Sequence, residues 1–470
     1  MTELADLSAS ELLSKFRTHE ASPVEAVESC LARMRSLEPK VNAVLTLCAD
    51  QCLEAAAASA KRWMSGDARM LEGVPFGLKD IIQTQGIRTT GGSRIYADYV
   101  PTETATVARR LMAEHGLLLA KLQTYEFAIG EDSHYGPTRN PWNLERTPGG
   151  SSSGGAAALA AREVTLAIGT DTGGSIRVPS TFCGINGFKP TQGLISRHGV
   201  MPLSWTLDHV GPMARSVEDL ALMLTVIAGH DPRDPTSLGS PRIDYVEALG
   251  HRIEGTRIGV PVNWFFDIVD RQVEAATREA IEVLTSDGAR LVEIELPHAY
   301  LADAIGFTIM HAEHASLHED TFGRLEEYSA PMSQQVLATA QFISALDYLK
   351  ALRTRYLIQR DFESAFDKVD AIIVPGMMSV APRLHDMSFE IDGKTYSWAE
   401  GVARMTMIFN IAGLPALSVP SGLHESGLPM GIQIAARPLD ERTCIRIGHA
   451  YQRATSHHTA VPPLSSQIAS

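Results

Sequence analysis

The strongest constraint on this chain is a pair of glycine- and serine-rich turns that bracket one helix and one strand within residues 140–215. The first, Thr147-Pro-Gly-Gly-Ser-Ser-Ser-Gly-Gly155, runs directly into a small-residue helix predicted over residues 156–161. An apolar run of strand length follows at residues 164–168, and the second turn is Thr170-Asp-Thr-Gly-Gly-Ser-Ile-Arg177. Consecutive glycines admit backbone conformations and close approaches that a Cβ forbids. A Gly/Ser stretch set between Trp142 and a helix is therefore a built turn and not a flexible linker. Residues 117–120 form a second strand-length run, and each of these runs follows a helical stretch. Strands alternating with helices predict an α/β fold on a largely buried sheet.

The rest of the chain carries ordinary start and stop signals. Ser8-Ala-Ser-Glu11 and Ser22-Pro-Val-Glu25 read as capping boxes, the second with proline at the first helical position, so two helices precede Val41. Residues 104–114 are amphipathic, and Ser216-Val-Glu-Asp219 caps a further helix. Residues 256–260, 291–294 and 371–374 read as strands, with a long helical region over residues 333–366. Residues 229–242, with Pro232, Pro235 and Pro241, are the most linker-like stretch. Residues 410–422 return to the Gly/Pro texture of the centre, which predicts that the C-terminal part rejoins the same core. No fixed period appears, which excludes a solenoid.

Composition excludes several function classes. With 41 Lys and Arg against 55 Asp and Glu the formal charge is −14, and no basic run offers a phosphate-binding face. Hydrophobic residues at 44% are ample for a core. The five cysteines, Cys30, Cys48, Cys52, Cys183 and Cys444, form no C-x-x-C pair, so neither a disulfide framework nor a zinc ribbon is expected. Residues 1–10 lack the basic start and apolar run of a signal peptide, and no apolar run is long enough to span a membrane; a cytoplasmic protein is expected.

Two chemistries compete for the glycine-rich turns. A phosphate loop would need the terminal Gly-Lys-Ser/Thr of a Walker A motif or an acidic residue at dinucleotide-site spacing, and both are missing. Acyl transfer fits Thr172-Gly-Gly-Ser175 better, since a serine nucleophile needs backbone N–H donors aimed at the carbonyl oxygen it attacks. The alternative is an ordinary Gly-Gly turn whose serine caps a helix. A G-x-S-x-G elbow is absent, because Arg177 stands where its last glycine belongs, and no S-x-x-K occurs. The base is then a lysine from elsewhere. Lys79, in the apolar run Gly73-Val-Pro-Phe-Gly-Leu-Lys-Asp80, is the candidate, against the plainer reading of a surface charge at a strand end. To accept a proton it must be neutral, and burial lowers an amine's proton affinity.

These segments resemble the amidase signature family: Gly73-Val-Pro-Phe-Gly-Leu-Lys-Asp80, Pro148-Gly-Gly-Ser-Ser-Ser-Gly-Gly155, Gly169-Thr-Asp-Thr-Gly-Gly-Ser-Ile-Arg177 and Phe182-Cys-Gly-Ile-Asn-Gly-Phe-Lys-Pro-Thr191. The likeness continues through Leu207-Asp-His-Val-Gly-Pro-Met-Ala-Arg-Ser216, Ala412-Gly-Leu-Pro-Ala416 and Gly427-Leu-Pro-Met-Gly-Ile-Gln433. The resemblance implies one large α/β domain with a mixed central sheet covered by helices on both faces. Residues 1–65 are expected as N-terminal helices packed on a catalytic unit of residues 66–470. It implies a Ser-cisSer-Lys triad with Ser175 as nucleophile and Lys79 as base. The bridging serine is the first after the Gly-Gly pair, Ser151 and not Ser152 or Ser153, held by a cis peptide after Gly150. The N–H groups of Thr172, Gly173, Gly174 and Ser175 match the oxyanion hole, with Asp171 and Arg177 bracing the loop as an ion pair. Cys183 is expected in the core.

No metal or other cofactor is implied. His311, His314 and His318 share a helical face but do not form H-E-x-x-H, and they read as a polar or interface face. One branch of the family is the glutamine-hydrolysing member of a tRNA-dependent amidotransferase, its A chain, which holds glutamine with a Ser-x-x-Asp-Gly-x-Arg-Tyr-Gly type segment. The present sequence has Met310-His-Ala-Glu-His-Ala-Ser-Leu-His318 in that region, similar to stand-alone amidases. The reading is a free-standing hydrolase of aryl or apolar amides, anilides or carbamates. The glutamine-hydrolysing amidotransferase chain and a ureide/allophanate-like hydrolase are the alternatives. Tyr125 and Phe127, in a stretch that matches the family's pocket, and Trp205, Met377, Met378 and Phe409 are candidate pocket walls; the methionines and Phe409 are equally readable as core. Expected partners are a small-molecule amide substrate and, at most, a second copy forming a homodimer, with no nucleic acid and no membrane.

Overall fold

In the computed structural model, which describes residues 3–466, both predicted capping boxes are present. Ser8 opens the helix Ala9–Arg17 and Ser22 the helix Pro23–Val41, each with its glutamate three residues on reaching back to the cap backbone. These helices are not a separate layer. Val27, Cys30, Met34 and Leu37 share one apolar cluster with Leu119 of the sheet and with Ala156 and Leu159 of the central helix. Asp219 ties the first helix down: its carboxylate accepts the Ala9 and Ser10 N–H groups, both at 3.0 Å. Those are first-turn donors that no helical carbonyl can reach.

The strands, in chain order, are β1 (Val44–Leu47), β2 (Pro75–Lys79), β3 (Leu117–Leu122), β4 (Leu166–Asp171), β5 (Asn186–Lys189), β6 (His209–Ala214), β7 (Arg257–Pro261), β8 (Arg290–Ile294), β9 (Ala371–Pro375), β10 (Ser388–Ile391), β11 (Lys394–Ser397), β12 (Ala416–Leu423) and β13 (Pro429–Ala436). Eleven of them form one mixed sheet in the order β1-β3-β2-β4-β6-β5-β12-β13-β9-β7-β8, with β10 and β11 as a separate hairpin. β2 lies parallel to both β3 and β4, whereas β4–β6, β5–β12, β12–β13 and β9–β13 are antiparallel. Every residue of β2, β3, β4, β6, β9 and β13 is buried, as a sheet covered on both faces requires. The α/β fold with a mixed, helix-covered sheet is therefore as expected, and the C-terminal strands lie in mid-sheet.

Three local expectations change in detail. The central helix spans Ser153–Ala160 and starts three residues early, taking in Gly154 and Gly155 despite their poor helix propensity. Its position explains the composition: a Cβ on Gly154 would lie 2.4 Å from the Gln123 backbone nitrogen. The linker-like residues 229–242 are packed, because the buried Asp231 carboxylate accepts from Thr106 and, at 2.8 Å, from Ser196. The long helical region divides into Pro331–Ala340 and Ala345–Phe366, the second capped by Ser344. β1 had no sequence signal beyond a short apolar run, since it is a half-exposed edge.

Replacing Asp219 with alanine leaves two helix-start donors, Ala9 buried and Ser10 half-buried, without their acceptor. A loss of about 1–3 kcal/mol in unfolding free energy is expected, with faster amide exchange across residues 9–17. Unchanged exchange there would show that the helix is held by packing alone.

Candidate active site

The end of β2 carries Lys79 into the interior, where its side chain has no solvent exposure. Its Nζ donates to Ser151 Oγ at 2.7 Å and to Thr170 Oγ1 at 2.8 Å. Burial lowers the ammonium from its ordinary 10.5 to about 7, against the attraction of Asp208 and Asp171. Asp80 contributes nothing to this. It turns to the other side of the strand end, where it pairs with Lys121 at 3.1 Å and accepts from Thr90.

The three adjacent serines part company. Ser151 follows a cis peptide bond after Gly150 and alone reaches Lys79. Ser152 bonds both the N–H and the carbonyl of Thr170, locking the first turn to β4, and Ser153 lies 3.3 Å from Thr138. Gly150 has to be glycine, because a Cβ would meet the Tyr125 ring at 2.1 Å.

The second turn leaves β4 at Asp171. Among the described residues, the N–H groups of Thr172, Gly173, Gly174 and Ser175 have no protein acceptor, whereas the next two, of Ile176 and Arg177, are directed at the Asp171 carboxylate. Consecutive unpaired donors in a mostly buried turn are rare unless something binds them. Ser175 faces the same cleft as Ser151. Gly174 sits at φ +139, where a Cβ would strike Thr406 Oγ1 at 2.2 Å.

Arg177 and Asp171 form the expected ion pair at 2.9 Å, both fully buried. Each of the five guanidinium N–H donors finds an acceptor: Asp171 twice, at 3.0 and 2.9 Å, the Thr406 carbonyl at 2.9 Å, Gln433 at 2.8 Å and Asn410 at 2.6 Å. Burial by itself raises the Asp171 carboxyl; the Arg177 guanidinium outweighs it and holds the group well below its ordinary 3.8. Asn410 also donates to the Asp171 carbonyl at 2.9 Å, and Thr406 Oγ1 donates to the Gly173 carbonyl. Sequence reasoning misses Thr406, Asn410 and Gln433. Gln433 ends the last family-like segment, but a buried amide beside a buried arginine leaves no local signature. Thr406 falls in the π-helical turn Ala403–Met407, whose displaced carbonyls are free for such partners.

Over this turn lies a cleft of about 280 Å³ walled by Tyr125, Ile129, Met310, Met332, Val336 and Trp398. Of the aromatic and methionine candidates only Tyr125 lines it. Phe127 is turned into a cluster with Tyr328 and Leu337 by its left-handed backbone at φ 49. Met377 and Met378 are fully buried core, and Phe409 stacks on Phe265 beneath Arg177. Trp205 is exposed and walls a neighbouring cavity of about 290 Å³ whose lining also includes Thr170 and Thr172. His311 lines the cleft and His314 is fully buried beside His318. Among the described residues no group of three or more His, Cys, Asp or Glu is placed to hold a metal ion, and no helix is long and apolar enough to cross a membrane. All five cysteines, Cys183 included, are buried and free.

The fold is that of amidases, enzymes acting on C–N amide bonds. The chain belongs to the amidase family, whose model, described as Amidase, matches residues 25–445. The A chain of a glutamyl-tRNA(Gln) amidotransferase from Chloroflexus aggregans is 42% identical over 99% of this chain and 100% of its own length. Among solved structures, one described as an unexpected vestigial protein complex that reveals the evolutionary origins of an s-triazine catabolic enzyme superposes with a TM-score of 0.91 at 32% identity, covering 95% of this chain and 98% of that one. A bacterial aryl acylamidase of the amidase signature enzymes gives 0.89 at 27% identity, covering 97% and 98%.

These likenesses overturn one expectation. Partners were expected to be limited to a small amide and a second copy, with no nucleic acid. The Chloroflexus relative is by name one component of a tRNA amidotransferase and the first solved neighbour is a protein complex, so that restriction of partners does not stand.

Replacing Arg177 with methionine strands the Asp171 carboxylate in the interior. A cost of about 3–5 kcal/mol is expected, read as a fall in thermal midpoint. Because the folded Asp171 is depressed below its ordinary 3.8, its stabilisation is complete above that pH and fades below it. The difference between wild type and variant should therefore shrink on acidification; a constant gap would remove the ion pair as its source.

Proposed function

We propose that this chain is the amide-hydrolysing component of a larger assembly and that it works through an acyl-enzyme on Ser175. The observation that carries the reading is the Lys79–Ser151 contact at 2.7 Å beside a turn of unpaired N–H groups. Neutral Lys79 takes the Ser151 proton as Ser151 takes that of Ser175, and Ser175 Oγ attacks the amide carbon. The N–H groups of residues 172–175 receive the developing oxyanion. Lys79 then returns the proton through Ser151 to the departing nitrogen, and water repeats the cycle on the acyl group. Thr170 orients the amine by accepting one of its N–H groups; once the amine is neutral its lone pair turns to Ser151, and the hydroxyl that accepts from the ammonium form becomes the donor.

Similarity to the A chains of glutamyl-tRNA(Gln) amidotransferases supports glutamine as the amide donor and supports an assembly with other chains. A second reading, an amide with an apolar acyl group, is favoured by the cleft itself. Its described lining contains no arginine or lysine to meet a carboxylate.

Lysine must be neutral to act, so kcat/KM should climb with pH through an apparent pKa of about 7 and level off above it. Ser175→Ala and Lys79→Ala should each lose on the order of 10⁴-fold or more in kcat. A Ser175→Ala enzyme with wild-type activity would sink the acyl-enzyme reading. A glutamine rate far above that of uncharged amides, measured with any co-purified partner present, decides for the first substrate reading; the reverse decides for the second.

A further inference from the structure

The cleft holds three ionisable side chains among its described lining residues: Tyr125, His311 and Glu131. Two of them are accounted for within the protein. The Tyr125 hydroxyl lies 3.4 Å from Thr147, and its ring covers Gly150. His311 packs against Phe307 with ring centroids 5.3 Å apart, and burial lowers it to about 4, so it is uncharged at neutral pH.

Glu131 is different. It is half-buried beside Ile129 and Gly130, which wall the cleft together with Met332 and Val336, yet among the described residues it has no ion pair and no hydrogen bond. The acidic residues around it do engage the protein. Glu126 accepts from Ser93, Ser329 and Ala330, and Asp132 accepts from Ser133. A carboxylate partly removed from water at a cleft with largely apolar walls is costly unless a donor or cation joins it. It also repels an incoming carboxylate in a medium of reduced dielectric.

From this juxtaposition we infer that Glu131 is a specificity residue, selecting amides whose otherwise apolar acyl group carries a protonated amine and rejecting those that carry a carboxylate. The inference rests on the reading that the cleft holds the acyl part of the substrate. Glutamine would satisfy it only in part, since its ammonium finds Glu131 but its carboxylate finds no cation in the described lining.

The test compares three series of linear primary amides, with three to six carbons in the acyl chain, ending in an amine, a methyl or a carboxylate. Wild type should show kcat/KM about tenfold higher for the amine than for the methyl series at the best-fitting length, with the carboxylate series slowest. Glu131→Gln should collapse the amine-to-methyl ratio towards one, and Glu131→Lys should invert the amine-to-carboxylate order. Melting curves and circular dichroism establish that the variants fold. A wild-type enzyme without amine preference at any length, or a Gln variant that keeps it, overturns the assignment of Glu131 while leaving the acyl-enzyme intact. Hydrolysis of none of the amides, or a Ser175→Ala enzyme as active as wild type, overturns the acyl-enzyme reading and this inference with it.

Discussion

The buried pair of Asp171 and Arg177 is the interaction on which the centre of the molecule depends. A buried ion pair is stabilising only when its remaining donors and acceptors are met, and here the arginine is satisfied in full. The acceptors come from β4, from the helical stretch that carries Thr406 and Asn410, and from Gln433 on β13. The guanidinium therefore clamps the glycine turn to the C-terminal strands. With the Asp171 carboxylate engaging the N–H groups of residues 176 and 177, those of residues 172–175 are held without an acceptor among the described residues, free for the oxyanion of the proposed reaction.

Lys79 shows the same logic applied to a single charge. It stands one residue from an aspartate in sequence, and a surface reading would pair the two. Within a sheet, neighbouring side chains point to opposite faces, so Asp80 goes to Lys121 while Lys79 enters a pocket of hydroxyls. No carboxylate contacts it directly, so desolvation prevails and the amine is poised near neutrality. The mixed sheet matters here: β2 is flanked by two parallel partners that exclude water from both edges.

Much of the fold was legible. The capping boxes at Ser8 and Ser22, the strands at residues 117, 164, 256 and 371 and the return of the C-terminal segment all follow from local chemistry. The motifs also singled out Lys79, Ser151, Ser175, Asp171 and Arg177, and the fold brings Lys79 to Ser151 and Asp171 to Arg177. The cleft was far less legible. An aromatic residue near a motif reads as a wall, but a left-handed backbone turns Phe127 away, and Phe409 supports Arg177 from below. Other residues that line the cleft, such as Met332, Val336 and Trp398, belong to segments remote from the motifs.

By itself the sequence determined several helix starts and buried strands, the glycines at which the backbone must turn, and the motif residues Lys79, Ser151, Asp171 and Arg177 that the fold then pairs. Those follow from short-range patterns and from segments whose residues lie together along the chain. Only the tertiary structure decided the proton affinity of Lys79, the full complement of Arg177, the identity of the cleft walls and the isolation of Glu131. Each of these depends on dielectric surroundings and on contacts between distant segments, and burial is a property of the folded whole, not of any stretch of chain.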